Sequence, residues 1–480
     1  MPVSPYQRLP SPARPPTPLP MLDEMTATTD TITALASAPG TAALALIRAS
    51  GDGCRGLAAA AFGLDVRALP ERRYRHTDYR AVDGQVLDDV VWCFSGGPRS
   101  FTGEDTLEIS THGNPLIVQR ILADMFLRGC RAAEPGEFTR RAFLNGRMEL
   151  TQAEAVMDLI HAQSERALDA ARRQLQGGLG RHLEALIAAL LGVLARIEAY
   201  IDFPDEDLPP EDQALVIAAL ADVLRGTERL LATHRYGDML RDGFKTVLLG
   251  VPNVGKSSLL NAMVGRERAL VSPEPGTTRD FIEERVHLGP HLLRLIDTAG
   301  LNPSPGVIER LGMDKTIERL PEADLILWVT DGTKPLPPPP LELVPYLDSG
   351  RILLVRNKAD LPAANADAVT LPFPIYVVSA LTGEGLAGLQ EAIIARADAL
   401  GAVFPDEDHI AINARHADAL RRARSGLLDA RAGLVAAVSA PIELVSSDVR
   451  SALDALGEVA GRVDNERMLD ALFSTFCIGK

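Results

Sequence analysis

GVPNVGKSS, residues 250–258, is the stretch that decides the fold. The apolar run TVLLG leads into it and the apolar-periodic run SSLLNAMVG leads out, so a strand should pass through a glycine loop into a helix. Glycines at 250 and 255 let the backbone curl until several N–H groups point at one place. Lys256 brings a charge suited to β and γ phosphates, and Ser257 offers a hydroxyl to Mg²⁺. Asn253, Val254, Gly255 and Ser258 complete this cradle.

Outward from the loop, residues 244–401 alternate β-rich runs (KTVLLG, LLRLID, DLILWVTD, RILLVRN, IYVVSA) with helical stretches. That alternation predicts a parallel sheet whose strand ends carry the chemistry. Thr278 of GTTRD is placed to reach Mg²⁺ and sense a γ-phosphate. Asp297 ends an apolar strand as a metal-side carboxylate should, and Thr298, Ala299 and Gly300 continue its loop. Asn357, Lys358 and Asp360 follow the strand RILLV. The Asp360 carboxylate can accept from guanine's ring N–H and amino group, whereas adenine presents an acceptor and no amino group on those edges. Ser379 and Ala380 close the base pocket. Five motifs in unpermuted order predict a Ras-like α/β P-loop domain that binds and hydrolyses GTP. Leu301 stands where Ras-like enzymes carry the Gln that orients the attacking water, so that task must fall to another residue. Asn253 inside the phosphate loop resembles GTPases that recruit K⁺, with a loop-stabilising side chain as the plainer alternative.

The rest of the 480-residue chain divides around this insertion. Residues 1–29 are Pro-rich, lack an apolar period and a secretory signal, and are expected to be disordered, with Met21 or Met25 as alternative starts. Residues 30–145 mix strands (41–49, 86–94) with a helix over 112–129, an α+β domain. Residues 146–243 turn helical, and Leu183, Leu186, Ile187, Leu190, Leu191, Leu194 and Ile197 form one stripe of a long amphipathic helix. Residues 402–480 are helical again and end in FCIGK. The economical arrangement is one discontinuous all-α domain whose halves pack together around the inserted GTPase domain.

Composition narrows the function classes. The longest uncharged run of the helical stretch, Ala185–Ala195, is far short of the roughly 20 residues of a membrane span, so no stable membrane association is expected. Cys54, Cys93, Cys130 and Cys477 show no zinc-like spacing, which fits a reducing cytoplasm. A formal charge of −15 permits RNA binding only through a local basic patch.

FTGEDTLEISTHGN (101–114), PGEFTRRAFLNGRMELTQAEAVMDLI (135–160) and FCIGK (476–480), with the GTPase motifs between them, carry a wider resemblance. From about Asp30 to Lys480 the chain resembles the bacterial tRNA-modification GTPase family MnmE (TrmE). The resemblance implies a folate-binding-like N-terminal domain that also dimerises, a discontinuous helical domain and a GTPase domain. It implies a homodimer that joins an MnmG (GidA)-like flavoprotein in a heterotetramer. Together they place an aminomethyl or carboxymethylaminomethyl group on carbon 5 of the tRNA wobble uridine. The one-carbon unit comes from a tetrahydrofolate derivative in its 5-formyl or methylene form.

Carried over by position, the folate contacts fall on Arg48, Glu108, Arg147 and Lys480. The pterin N–H groups suit a carboxylate and the glutamate tail suits cations. Arg147 replaces the family's usual Lys, which keeps charge but alters geometry. The water-orienting Glu falls on Glu309. The K⁺ loop falls on Ser272, Glu274 and Thr277 with Asn253 as the side-chain ligand. Cys477 is either a nucleophile or redox thiol, or a small packed residue. Asn302 and the Pro-rich segment NPSPGV depart from the family pattern. The competing reading is a non-enzymatic GTPase switch, such as an Era-like ribosome-assembly factor, which has no need of the FCIGK tail.

Overall fold

The computed structural model describes residues 30–202, 210–264, 283–297, 320–347, 350–362, 371–401, 410–435, 441–462 and 466–479. They form two compact units. One joins the described residues up to Ala153 with those after Arg462, and the other is Glu154–Arg462.

The first unit opens with β1 (Ile32–Leu35), β2 (Leu44–Ser50), α1 (Cys54–Phe62), β3 (Arg75–Arg80), β4 (Val86–Ser95), β5 (Thr106–His112), α2 (Pro115–Leu127), β6 (Arg131–Ala132) and α3 (Glu137–Leu144). Its sheet has the order β3-β4-β5-β2-β1-β6, antiparallel except for the β1–β6 pair. Helix α2 starts where Asn114 accepts from the Leu116 N–H with Pro115 in the first turn, and the chain leaves it through Gly129 at φ 95°. On one face α1 and α2 cover Ile47, Tyr79, Trp92, Phe94 and Ile109, with the Phe62 ring stacked on Trp92 at 4.3 Å. On the other face Ile32, Ala34, Ala133 and Phe138 pack with Phe101.

A helix at Glu466–Phe473 and the tail beyond it also lie on this unit. The sequence assigns all of 402–480 to the second helical half; the structure instead brings the last segment back to α3. The reason is local. Phe473 and Phe476 are buried, and they close on Gly136, where a Cβ would stand 2.7 Å from the Phe473 carbonyl oxygen and 2.8 Å from the Phe476 Cβ. Arg140 pairs with Asp470 at 3.0 Å, and the Gly136 N–H donates to the Cys477 carbonyl.

The second unit contains α4 (Leu150–His161, from Glu154 on), α5 (Glu165–Leu175), α6 (Gly178–Asp202), α7 (Pro210–Ala232), α8 (His234–Asp242), β7 (Phe244–Leu249), α9 (Lys256–Val264), β8 (Glu283–Leu288), β9 (His291–Asp297), β10 (Leu325–Asp331), β11 (Ile352–Asn357), β12 (Ile375–Val377), α10 (Leu386–Gly401), α11 (Ala414–Val435) and α12 (Ile442–Ala460). Helices α6, α7, α11 and α12 share one apolar core, drawn from both sides of the inserted sheet in sequence. Leu183, Ile187, Leu190, Leu194 and Ile197 are buried in it, but Leu191 is 46% exposed. One residue past Leu190 on a helix is a turn of about 100°, which carries Leu191 out of the stripe. The long helical stretch is also broken. Ser164 caps α5 by accepting from Ala167 N–H, and Gly177 at φ 81° separates α5 from α6.

The sheet of this unit runs β12-β11-β10-β7-β9-β8, parallel apart from the antiparallel edge strand β8. Leu248, Leu293, Leu295, Leu327 and Val355 line one face, and Ala167 and Ala170 of α5 with Tyr236, Met239 and Leu240 of α8 join that core. Helices α5 and α8 thus belong to the sheet as much as to the helical stretch. No helix among the described residues is long and apolar enough to cross a membrane.

Candidate functional site

Strand β7 ends at Leu249, and the chain then closes against β10: a Cβ on Gly250 would stand 2.3 Å from the Val329 carbonyl oxygen. Asn253 at φ 66° and Gly255 at φ 92° are both left-handed, and α9 begins at Lys256. Left-handed positions at a helix N-terminus turn successive N–H groups into one concavity, a setting suited to phosphate. The buried Lys256 ammonium donates to the carbonyls of Gly250 and Val251 at 3.0 and 3.4 Å. Val254 is buried, while Asn253, Ser257 and Ser258 are exposed. Asp297, the last residue of β9, pairs in register with Leu248 of β7, which sets its strand end beside the loop.

Asn357 ties the loop to the segment that follows β11 and to Ala380. Its Nδ2 donates to the Val254 carbonyl at 2.9 Å, and its Oδ1 accepts from the Ala380 N–H at 3.0 Å. A Cβ on Gly255 would lie 2.3 Å from that Nδ2, so the staple requires glycine there. The buried Ser379 hydroxyl donates to Asp360 Oδ1 at 2.6 Å and accepts from the Thr382 N–H. This fixes the Asp360 carboxylate in orientation while its residue stays exposed. Lys358, at φ 72°, donates to Asp331 Oδ2 at 2.7 Å. Partial burial opposes ionisation of Asp331, but the hydrogen bonds from Lys358 and Thr333 outweigh it and hold the carboxyl at about 2. Sequence reasoning passed over Asp331; its signal is an acid closing the apolar run LILWVTD in register with Asn357.

Phosphate loop, Asn357, Lys358, Asp360, Ser379 and Ala380 therefore form one connected site. Ser272, Glu274, Thr277, Thr278, Thr298, Ala299, Gly300 and Glu309 lie outside the described residues, as does Lys480.

A second cluster sits in the first unit. Arg48 on β2 is opposite Ala34 on β1 and Glu108 on β5, so all three share a sheet face. Arg48 Nη2 and Nε donate to Glu108 Oε1 at 2.7 and 3.0 Å, and the guanidinium lies 5.1 Å from the Phe101 ring and 5.8 Å from the Phe138 ring. The adjoining loop is held by Asn145, which donates to the Thr102 carbonyl, and the Arg147 stem passes over Gly103, whose Cβ would be 3.2 Å from Arg147 Cγ. The chain end approaches the same strands: a Cβ on Gly479 would stand 2.5 Å from the Leu35 carbonyl oxygen. Cys477, two residues earlier, is exposed.

The aromatic flanks Phe101 and Phe138 and the buried Arg141 were not singled out from sequence. Arg141 is 3% exposed and pairs with Asp30, Glu104 and Glu137. Their only sequence signal is membership of the FTGED and GEFTRR segments.

Comparison with known proteins agrees with this layout. A family model described as the MnmE helical domain matches residues 150–477, and one described as the GTP-binding protein TrmE N-terminus matches residues 31–147. The tRNA modification GTPase MnmE of Opitutus terrae is 55% identical over 453 residues, covering 94% of this chain and 99% of its own length. That of Akkermansia muciniphila is 44% identical over 460 residues with the same coverage. Among solved structures, the G domain of the T. maritima FeoB iron transporter covers 32% of this chain and 98% of its own, at 28% identity and a TM-score of 0.24. Aquifex aeolicus Era covers 38% of this chain and 66% of its own, at 24% identity and a TM-score of 0.25. Strand and loop geometry, two family models that together match residues 31–147 and 150–477, and relatives matched over nearly their whole length agree: the chain belongs to the MnmE family of tRNA modification GTPases.

Proposed function

We propose that GTP hydrolysis here drives the folate-dependent modification of carbon 5 of the tRNA wobble uridine, carried out by a homodimer together with an MnmG-like flavoprotein. The observation that carries this reading beyond a bare GTPase is the Arg48–Glu108 pair, flanked by the Phe101 and Phe138 rings, on the sheet whose strand β1 the returning chain end reaches at Gly479. A GTPase that served only as a switch would have no use for a carboxylate–guanidinium pair flanked by two aromatic rings beside its own terminus. The donor set fits a folate: a half-exposed carboxylate for the pterin N–H groups, ring faces for its plane, and Arg48, Arg147 and Lys480 for acidic groups. The bound folate would supply the one-carbon unit.

Deleting Lys480 tests this assignment. A charge-assisted contact is worth about 1.5–3 kcal/mol, so binding of 5-formyltetrahydrofolate should weaken roughly 10- to 100-fold. GTP turnover should stay near wild type, because the nucleotide groups lie in the other unit. Equal folate affinity in the truncated and full chains, measured by titration calorimetry, removes the tail from the site.

In the nucleotide site the exposed Asn253 side chain would hold K⁺ and the exposed Ser257 hydroxyl Mg²⁺, with Thr278 and Asp297 completing the Mg²⁺ side and Ser272, Glu274 and Thr277 the K⁺ side. These cations would supply positive charge where negative charge develops on the phosphates. Glu309 would orient the attacking water in place of the missing Gln. Turnover is therefore expected to be much faster in potassium than in matched sodium buffer and to rise with protein concentration as GTPase domains pair. Glu309→Ala should cost on the order of 10²-fold in turnover with little change in GTP affinity. Equal rates in both salts would exclude the potassium role, and an unaffected variant would return Glu309 to an ordinary helix-surface residue.

A further inference from the structure

The chain is acidic overall, yet one edge of the first unit is not. Between residues 67 and 75 the sequence RALPERRYR places Arg67, Arg72, Arg73 and Arg75 around Tyr74, all exposed, with Tyr74 at 76%. The segment runs into β3, the edge strand of its sheet, so nothing pairs with its outer side within that sheet. The Glu71–Phe94 bridge and the hydrogen bond from Arg72 N–H to the Phe94 carbonyl anchor the turn. The Arg72 guanidinium donates to the Arg99 carbonyl, which adds exposed Arg99 to the same patch.

The charge of this ridge is not cancelled locally. Asp65 accepts from its own turn at the Arg67 N–H, Glu71 pairs with Arg55 and Asp78 pairs with Arg80. Among the described residues no carboxylate lies in ion-pair range of Arg67, Arg72, Arg73, Arg75 or Arg99. Elsewhere in the unit Arg48, Arg80, Arg128, Arg131, Arg140 and Arg141 each hold an acid. Unpaired guanidinium groups around a solvent-facing aromatic ring match a single-stranded or looped RNA: arginines take backbone phosphates, and the ring takes an unstacked base. On a chain of formal charge −15 such a patch also sets the approach direction of a polyanion.

We infer that the arginine ridge Arg67–Arg75 with Arg99 and Tyr74 is a tRNA-docking surface, its arginines on backbone phosphates and Tyr74 stacked on an unpaired nucleotide. The inference rests on the reading of tRNA as the substrate and names the surface that receives it. An anionic lipid surface would use the same charges, but the segment presents only the three-residue helical turn Val66–Ala68 and an edge strand, not an amphipathic helix with an apolar face to insert.

The test is fluorescence anisotropy of a labelled, unmodified tRNA transcript with the full chain across a salt series. The double variant Arg73→Glu/Arg75→Glu should bind at least about 10-fold more weakly, and its slope of log affinity against log salt should be shallower by roughly 1.5, the counterion release of two phosphate contacts. Arg73→Lys/Arg75→Lys should keep most of the affinity. Tyr74→Ala should weaken binding of an anticodon stem-loop about 10-fold while leaving a fully paired RNA duplex unchanged. A far-UV circular dichroism spectrum and melting transition matching wild type certify that the variants are folded, and basal GTP turnover stays unaltered because the nucleotide groups lie in the other unit.

If wild type binds tRNA and the charge-reversed chain binds it equally with the same slope, the ridge is overturned while the tRNA reading stands. If wild type does not bind tRNA at all, both fall. Vesicles of phosphatidylglycerol and phosphatidylcholine form the last arm. Variants that lose vesicle binding but keep tRNA binding would assign the ridge to a membrane surface and overturn the inference.

Discussion

Asp360→Asn should turn a GTP site into one that prefers xanthosine triphosphate. Asp360 Oδ1 already accepts from the Ser379 hydroxyl at 2.6 Å, and Ser379 is buried and itself held by the Thr382 N–H. The carboxyl plane is therefore set before nucleotide arrives, with its remaining acceptor capacity aimed outward. An amide in the same plane keeps one acceptor for the ring N–H but meets guanine's amino group with a donor. Xanthine carries an oxygen at that position and accepts instead. Exchanging one charge-assisted contact for a donor–donor clash, and the reverse for xanthine, should swing the preference by roughly 10³-fold at about 1.5–3 kcal/mol per contact. Competitive binding of the two triphosphates to wild type and variant measures it. A variant that still prefers GTP would place the base-reading group elsewhere. The hydroxyl partner adds a control: Ser379→Ala keeps the charge but loosens its orientation, and should weaken GTP binding without changing the order of preference.

The groups of this site were legible in sequence because each strand carrying them is a continuous apolar run that stops at a polar residue. β7, β9, β10 and β11 are buried on both faces and so read plainly. β3 is harder: RHTDYR buries only Tyr79, and a polar edge strand has no apolar period to announce it. β1 has four residues, and β8 is an edge strand that returns antiparallel. The tail shows a different limit. Glu466–Phe473 is amphipathic in any location, and what sends it to the first unit is the absence of a Cβ at Gly136, more than 300 positions away. The Asn357 staple and the rings beside Arg48 are of the same kind: contacts between distant segments whose residue types fit many local roles. The discontinuous helical domain follows from economy and from the family resemblance, and the shared core of α6, α7, α11 and α12 supplies its physical basis.

That domain has a second fastening, and it yields the largest expected loss of stability. Glu154 on α4 is buried and accepts from Asn413 Nδ2 at 3.0 Å, Arg415 Nε and Nη2 at 2.9 and 3.0 Å, and His416 Nε2 at 2.6 Å. The Asn413 N–H donates to His416 Nδ1, which leaves Nε2–H to face the carboxylate. One acid thus gathers three side chains from the point where the chain re-enters the helices after the inserted sheet. Burial opposes its ionisation, but His416 and then Arg415 outweigh burial and hold the carboxyl well below the ordinary range. Glu154→Ala would strand a guanidinium and a fully buried imidazole without their acceptor, and should cost about 3–5 kcal/mol. For a unit of this size that is a fall of roughly 10 °C in the helical melting transition followed by far-UV circular dichroism. The double variant Glu154→Leu/Arg415→Leu should be less unstable than Glu154→Ala, since no charge is left unpaired. The pH sign follows from the depressed folded value. Glu154 contributes its full stability above the unfolded carboxyl value near 4.5 and loses it progressively as pH falls toward the folded one. Asp158, one turn on, is raised by burial despite Arg241, so its ionisation subtracts stability as pH rises above the ordinary Asp value. Wild type should therefore lose helical stability on acidification below about pH 4.5 more steeply than Glu154→Gln, which cannot titrate there. Parallel acid profiles for the two chains, or an unchanged melting transition in Glu154→Ala, would mean that apolar packing alone joins the halves.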